Sequence, residues 1–168
     1  MIASRLLRYF RLSAVADVSL TRYCIVAYLS IIVPATIVIG LLVALAHVIG
    51  FDPGTIQVGS AGSHGAWDIA GNTLVAPIGE TFILGALVAG VRLWVTAYWR
   101  IALIVAVIMA GLHGLVTPLW FLGVIWPFVV LSIGFVVWRQ KSYWHAYAAA
   151  CVPHALNNFT VSTFVYFS

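Results

Sequence analysis

Four side chains in this sequence are of types that carry out hydrolysis: Glu80, His113, His154 and Asn158. A carboxylate can act as general base on a water, and an imidazole can hold or share the proton it takes. Imidazole and amide N–H groups can donate hydrogen bonds to an oxyanion. All four lie in apolar runs, and Glu80 interrupts "APIGETFILG". Placing an acid at mid-bilayer costs about 2.5–3.5 kcal/mol on translocon scales. One interhelical polar contact, worth about 0.6 kcal/mol on average, does not offset that. Each residue alone has a bland reading, as a neutral acid or a polar group tying two helices together. Their common depth argues for function.

That depth follows from spacing. Glu80 stands twelve residues from Arg92, His113 thirteen from Arg100 and His154 thirteen from Lys141. At helical rise, all three lie roughly 18–20 Å from the same charged boundary. Asn158, four residues beyond His154, shares its helix face one turn further out. Prolines sit beside these positions. Pro77 precedes Glu80 by three residues, Pro153 directly precedes His154, and Pro118 follows His113 by five. A proline removes one helix N–H and disrupts the bond to the carbonyl four residues earlier. Unwound backbone at membrane depth persists only where protein or a water-filled cavity satisfies it. The four side chains are therefore expected around a hydrated pocket.

The elements that must position them are membrane helices. The chain has 168 residues, 64% hydrophobic and 7% charged, with mean hydropathy +1.11. That composition excludes a water-soluble domain. Stretches long enough to cross a bilayer run over Cys24–Gly50, Ile69–Val91, Ile101–Thr117, Phe121–Trp138 and Trp144–Tyr166. The expected fold is all-α, a polytopic transmembrane bundle of about five spans. A cytoplasmic amphipathic segment (1–23) precedes one membrane domain (24–168). "MIASRLLRYFRLSAVADV" alternates Arg with apolar residues, as a helix lying on the inner surface would. The first apolar run is too long for a signal peptide, and Ala44-Leu45-Ala46 lies too deep in it for a cleavage site.

With five spans, Arg5, Arg8, Arg11, Arg22, Arg92, Arg100, Arg139 and Lys141 all fall on one side, which the positive-inside rule makes cytoplasmic. The C-terminus and the Gly-rich loop "FDPGTIQVGSAGSHGAWD" then face outward. Trp94, Tyr98, Trp99, Trp138, Tyr143 and Trp144 read as an interfacial belt. Topology accounts for the formal charge of +4, so membrane lipid rather than nucleic acid is the expected partner. Cys24 and Cys151 lie at different depths, which disfavours a disulfide. Gly71, Gly79, Gly85, Ala86, Ala89, Gly90, Gly111 and Gly114 are expected to let spans two and three approach closely.

Two chemistries suit the four polar residues. In one, Glu80 activates water with His113 as its partner, and His154 and Asn158 stabilise the oxyanion. In the other, Glu80, His113 and His154 ligate zinc, although the compact H-E-x-x-H arrangement is missing. The first requires no cofactor. Cys151 and Ser162 lack a His–acid partner at a spacing that suits a nucleophilic triad.

The order and context of these residues resemble the CPBP family, the intramembrane CAAX proteases and bacteriocin-processing enzymes also called Abi. Its pattern is a double Glu followed by Arg, then Phe-x-x-x-His, then His-x-x-x-Asn or Asp. "APIGETFILG" is similar to the first part. "MAGLH" is similar to the second with Met109 for Phe, and "HALNN" matches the third. The resemblance implies that Glu80 activates water with His113, that His154 and Asn158 form the oxyanion pair, and that no metal is obligatory. Anchored on "API", Thr81 replaces the second Glu and Gly85 the Arg. Anchored on Gly85 as the family's glycine, Gly79 and Glu80 take the Glu positions and Leu84 the Arg; the first alignment keeps the reactive acid.

The expected function is intramembrane endopeptidase, acting on a prenylated tail, a bacteriocin-like peptide or another membrane protein. The missing Glu and Arg leave open a non-catalytic scaffold or an accessory subunit beside a partner membrane chain. Aligned Glu and His would also suit a proton or ion pathway.

Overall fold

The computed structural model of the chain describes residues 18–50, 66–116 and 118–167. Most of the amphipathic 1–23 segment and the greater part of the Gly-rich loop lie outside the described residues. Five long helices follow one another along the described residues: α1 (Leu20–Val48), α2, α3 (Tyr98–Gly114), α4 (Pro118–Trp138) and α5 (Tyr143–Phe167). Helix α2 is continuous in three parts, Ala66–Ala70, a π-helical turn over Gly71–Val75, and Ala76–Val91. No strand occurs among the described residues.

Local chemistry sets the ends. The Ser19 side chain accepts the Arg22 N–H at 3.2 Å to start α1. Gly50, at φ 72°, turns the chain just past its end, a left-handed conformation that glycine adopts without a Cβ clash. Pro118 opens α4, where an N-terminal helix position needs no N–H donor. The Ser142 hydroxyl accepts the His145 N–H at 3.1 Å at the start of α5.

Helix α4 is the hub. Its pairing with α3 is the most extensive in the bundle, and it also packs on α5, α1 and α2. Helix α5 touches α1 and α2, while α3 and α5 are not neighbours. Close packing is built largely from alanine. Ala102, Ala106 and Ala110 recur every fourth residue on α3, and Ala146, Ala149 and Ala150 line α5; all are buried. Small side chains let helix backbones approach where no hydrophobic force drives them together in lipid. The glycines expected between spans two and three act elsewhere. A Cβ at Gly79, Gly111, Gly71 or Gly90 would meet nothing within 4 Å, whereas one at Gly85 would lie 2.9 Å from Phe135 Cζ and 3.2 Å from the Tyr143 hydroxyl. Gly85 admits α4 and α5, not α3.

Three helical stretches are long and apolar enough to cross a membrane: Leu20–Val38, Trp67–Val91 and Trp120–Trp138. The five helices expected from the sequence are present, and three of them meet these grounds among the described residues. Helix α3 is apolar but has 17 residues. Helix α5 is long but carries His145, His154, Asn157, Asn158, Thr160, Ser162 and Thr163. Of the residues read as an aromatic belt, Trp94, Trp99 and Trp144 are exposed, whereas Trp138 is 1% exposed. Trp138 packs edge-on against Tyr23 and lies parallel to His145, joining the ends of α1, α4 and α5 as a core residue.

Helices α1, α4 and α5 continue through their prolines, and at Pro34 a neighbouring helix supplies the missing donor. Pro34 lies inside α1 and cannot bond to the carbonyl of Ser30. The Trp126 indole N–H from α4 donates to that carbonyl at 2.8 Å. Pro153 lies inside α5. The Cys24 thiol donates to the nearby Ala148 carbonyl at 3.8 Å, and both cysteines are free. A buried backbone carbonyl without a donor is costly in a medium that has no water to offer, so these cross-helix bonds fix neighbouring helices to one another.

Gly85→Ala should lower the melting temperature in detergent by several degrees, since overpacking costs about 1–3 kcal/mol. Gly79→Ala, with open space around it, should leave the melting temperature unchanged or slightly raised. Equal effects of the two would contradict this packing.

Candidate functional site

The acid and both histidines meet. Glu80 on α2 lies between His113 of α3 and His154 of α5, helices whose backbones do not approach closely among the described residues. Its Oε2 lies 3.7 Å from His113 Nε2 and 3.6 Å from His154 Nε2. Both separations exceed hydrogen-bonding distance but lie within ion-pair range. Glu80 Oε2 is buried and has no hydrogen-bond partner among the described residues. The Glu80 side chain as a whole remains 25% exposed, against 16% for His113 and 9% for His154. The cluster is therefore open at the acid and closed at the imidazoles.

Aromatic rings hold the imidazoles. Phe128 of α4 is buried and lies 5.1 Å from the His113 ring and 5.8 Å from the His154 ring, centroid to centroid. Trp120, at the start of α4, meets His113 edge-on at 5.0 Å. Nothing in the uniformly apolar sequence of α4 marks Phe128 or Trp120 as members of the site. Only the packing does.

His113 has its tautomer fixed. Its Nδ1 lies 2.8 Å from the Met109 carbonyl, and a carbonyl only accepts, so Nδ1 carries a hydrogen. In the neutral ring, Nε2 then turns a lone pair toward Glu80 Oε2. Two acceptors facing each other repel, and a proton on the carboxyl or on the ring would relieve them. Glu80 and His113 are thus a couple able to share a proton, and His154 Nε2 meets the same oxygen.

Asn158 is placed differently from the other three. Its amide Nδ2 donates to the Asn72 backbone carbonyl at 3.0 Å, and its Oδ1 accepts from Asn157 Nδ2 at 3.3 Å. It is thus engaged with the π-helical turn of α2. Tyr147 supplies a second tie in the same seam, its hydroxyl donating to the Ile78 carbonyl at 2.9 Å.

The positions where the CAAX-protease pattern has its second Glu and its Arg are closed here. Thr81 is 1% exposed, and Gly85 has Phe135 and Tyr143 where a side chain would begin. Among the described residues, no group of three His, Cys, Asp or Glu is disposed to hold a metal ion. Comparison of the chain with family models, curated proteins and solved structures returned no match.

In protein labelled with nitrogen-15 at histidine, His113 should show a hydrogen-bearing Nδ1. The opposite tautomer, with Nδ1 bare, would remove the argument for a shared proton.

Proposed function

We propose that the chain is an intramembrane peptidase in which Glu80 activates a water molecule. The single observation that carries this reading is the buried Glu80 Oε2 flanked by two imidazole nitrogens on a side chain still one quarter exposed. Such a group can reach an incoming water while its charge and proton are managed from behind. The likeness of "APIGETFILG", "MAGLH" and "HALNN" to the CAAX-protease pattern supports the same reading. All five helices cross the membrane in this account, with Arg22, Arg92, Arg100, Arg139 and Lys141 at the cytoplasmic face. The substrate is a peptide or membrane-protein segment presented within the bilayer.

The chemistry is a hydrolysis. With the couple's proton on His113, the Glu80 carboxylate takes a proton from water as the water oxygen bonds to the peptide carbonyl carbon. The electron pair displaced onto the carbonyl oxygen is stabilised by N–H donation from the imidazoles, His154 above all. When the tetrahedral species collapses, the C–N bond breaks and the amine nitrogen takes the proton that Glu80 holds. Water is consumed and an acid and an amine are released. His113 stays positively charged throughout and opposes the charge changes at Glu80. Asn158, given to the oxyanion by the sequence pattern, has one amide hydrogen left for that task while the other is bound to Asn72.

A second reading has two observations in its favour. The closed positions at Thr81 and Gly85, and the engagement of Asn158 with backbone, suit a non-catalytic relative serving as scaffold or accessory subunit. The two readings separate on one substitution. Glu80→Gln should lower turnover of a cleaved peptide in liposomes by about 10²–10⁴-fold, the usual worth of a general base. Undiminished turnover would end the glutamate mechanism. Stoichiometric co-purification of another membrane chain with both the native protein and Glu80→Gln, with biological activity retained, would establish the accessory role instead.

A further inference from the structure

We propose that Asn158 is a positioning residue, whose amide replaces the N–H that Pro77 lacks and so fixes the turn of α2 from which Glu80 projects. The inference holds whether or not the chain cleaves peptides.

The argument begins in the π-helical turn. There the backbone bonds reach five residues back, and the Ala76 N–H donates to the Gly71 carbonyl. The next bond in that series would run from residue 77 to the Asn72 carbonyl. Residue 77 is proline, so the donor does not exist. The Asn72 carbonyl would be left open, and Asn158 Nδ2 closes it at 3.0 Å. The same substitution of a side-chain donor for a proline's missing N–H occurs where Trp126 closes the Ser30 carbonyl opened by Pro34. At Pro77, however, the device lies one turn from the site.

Its consequence is rotational. A π turn carries one residue more than an α turn, and each helical residue advances about 100° around the axis. If the turn relaxed to α-helical register, the part of α2 before Pro77 and the part bearing Glu80 would rotate against each other by about that angle. Helix α5 holds both parts. Asn158 holds the outer one at Asn72, and Tyr147 holds the inner one at the Ile78 carbonyl. Because His154 lies one turn before Asn158, the helix that supplies one imidazole also sets the direction of the acid that meets it. The observed convergence on Glu80 Oε2 needs both.

The test uses a hydrophobic carbodiimide, which reacts with carboxyl groups in apolar surroundings, on the full chain in detergent. Glu80 is the only Glu of the sequence, so its adduct is assigned by peptide mass. In the native protein Oε2 lies between the imidazoles and only the rest of the Glu80 side chain is open, which sets the reference rate. Asn158→Ala should raise it several-fold. Pro77→Ala restores a backbone donor at position 77, so Pro77→Ala alone and Pro77→Ala/Asn158→Ala together should both fold and react at the native rate. If Asn158→Ala does not fold, recovery of folded protein in the double variant makes the same point.

Four results would overturn the proposal: native labelling in Asn158→Ala, a loss of thermal stability without a change in labelling, a rise that persists in the double variant, or failure of either Pro77→Ala protein to fold. A further separation comes from peptide cleavage. If Glu80→Gln leaves cleavage intact while the labelling pattern appears as described, the glutamate mechanism fails and the positioning role stands.

Discussion

A carboxylate oxygen buried against two imidazole nitrogens is the constraint on which the rest of this molecule turns. In a low-dielectric interior, Glu80 Oε2 has no hydrogen-bond donor at normal distance among the described residues. The Met109 carbonyl fixes the hydrogen of His113 on the far nitrogen, which turns the near nitrogen toward the acid at 3.7 Å. Such an arrangement is expensive as mere helix glue, because apolar residues of similar volume would fill the same space without desolvating an acid. Its cost is intelligible if the acid must change its proton during a reaction. The open side of Glu80 and the closed sides of the two histidines fit that use.

Holding three side chains from three helices together is a backbone problem as much as a side-chain one. Helices α3 and α5 do not pack on each other, so Glu80 and Phe128 fill the space between them. The bundle is tied by carbonyls that prolines have left without helical donors. Trp126 closes one from α4 and Asn158 closes another from α5. Pro34 and Pro77 thereby each turn a local defect into a directional contact between helices. Alanine stripes on α3 and α5 bring the backbones close enough for such contacts to form.

Much of the site was legible in the letters because depth in an apolar helix bundle is a one-dimensional quantity. Counting residues from Arg92, Arg100 and Lys141 placed Glu80, His113 and His154 at one level, and those three are the side chains found together. What the letters could not provide was direction around each helix axis. Asn158 shares a face with His154, yet it reaches a carbonyl of α2, because the π turn that exposes this carbonyl leaves no mark beyond Pro77 itself. Trp138 reads as an interfacial residue beside Arg139, but three helix ends meet there and enclose it. Gly85 looked like a contact for α3, and only the placement of Phe135 and Tyr143 shows which helices it admits. Phe128 and Trp120 had no signal at all in a helix whose every face is apolar.

The central claim concerns two distances and can be measured without any substrate. Selective carbon-13 labelling of the glutamate carboxyl marks Glu80 alone, and nitrogen-15 labelling of histidine marks the rings. Dipolar recoupling in solid-state NMR of the protein in lipid should then show the carboxyl carbon coupled to Nε2 of both His113 and His154, as their 3.7 and 3.6 Å separations from Oε2 require. Coupling to only one ring, or to neither, would mean that the acid is not held between the imidazoles, and the account would fall.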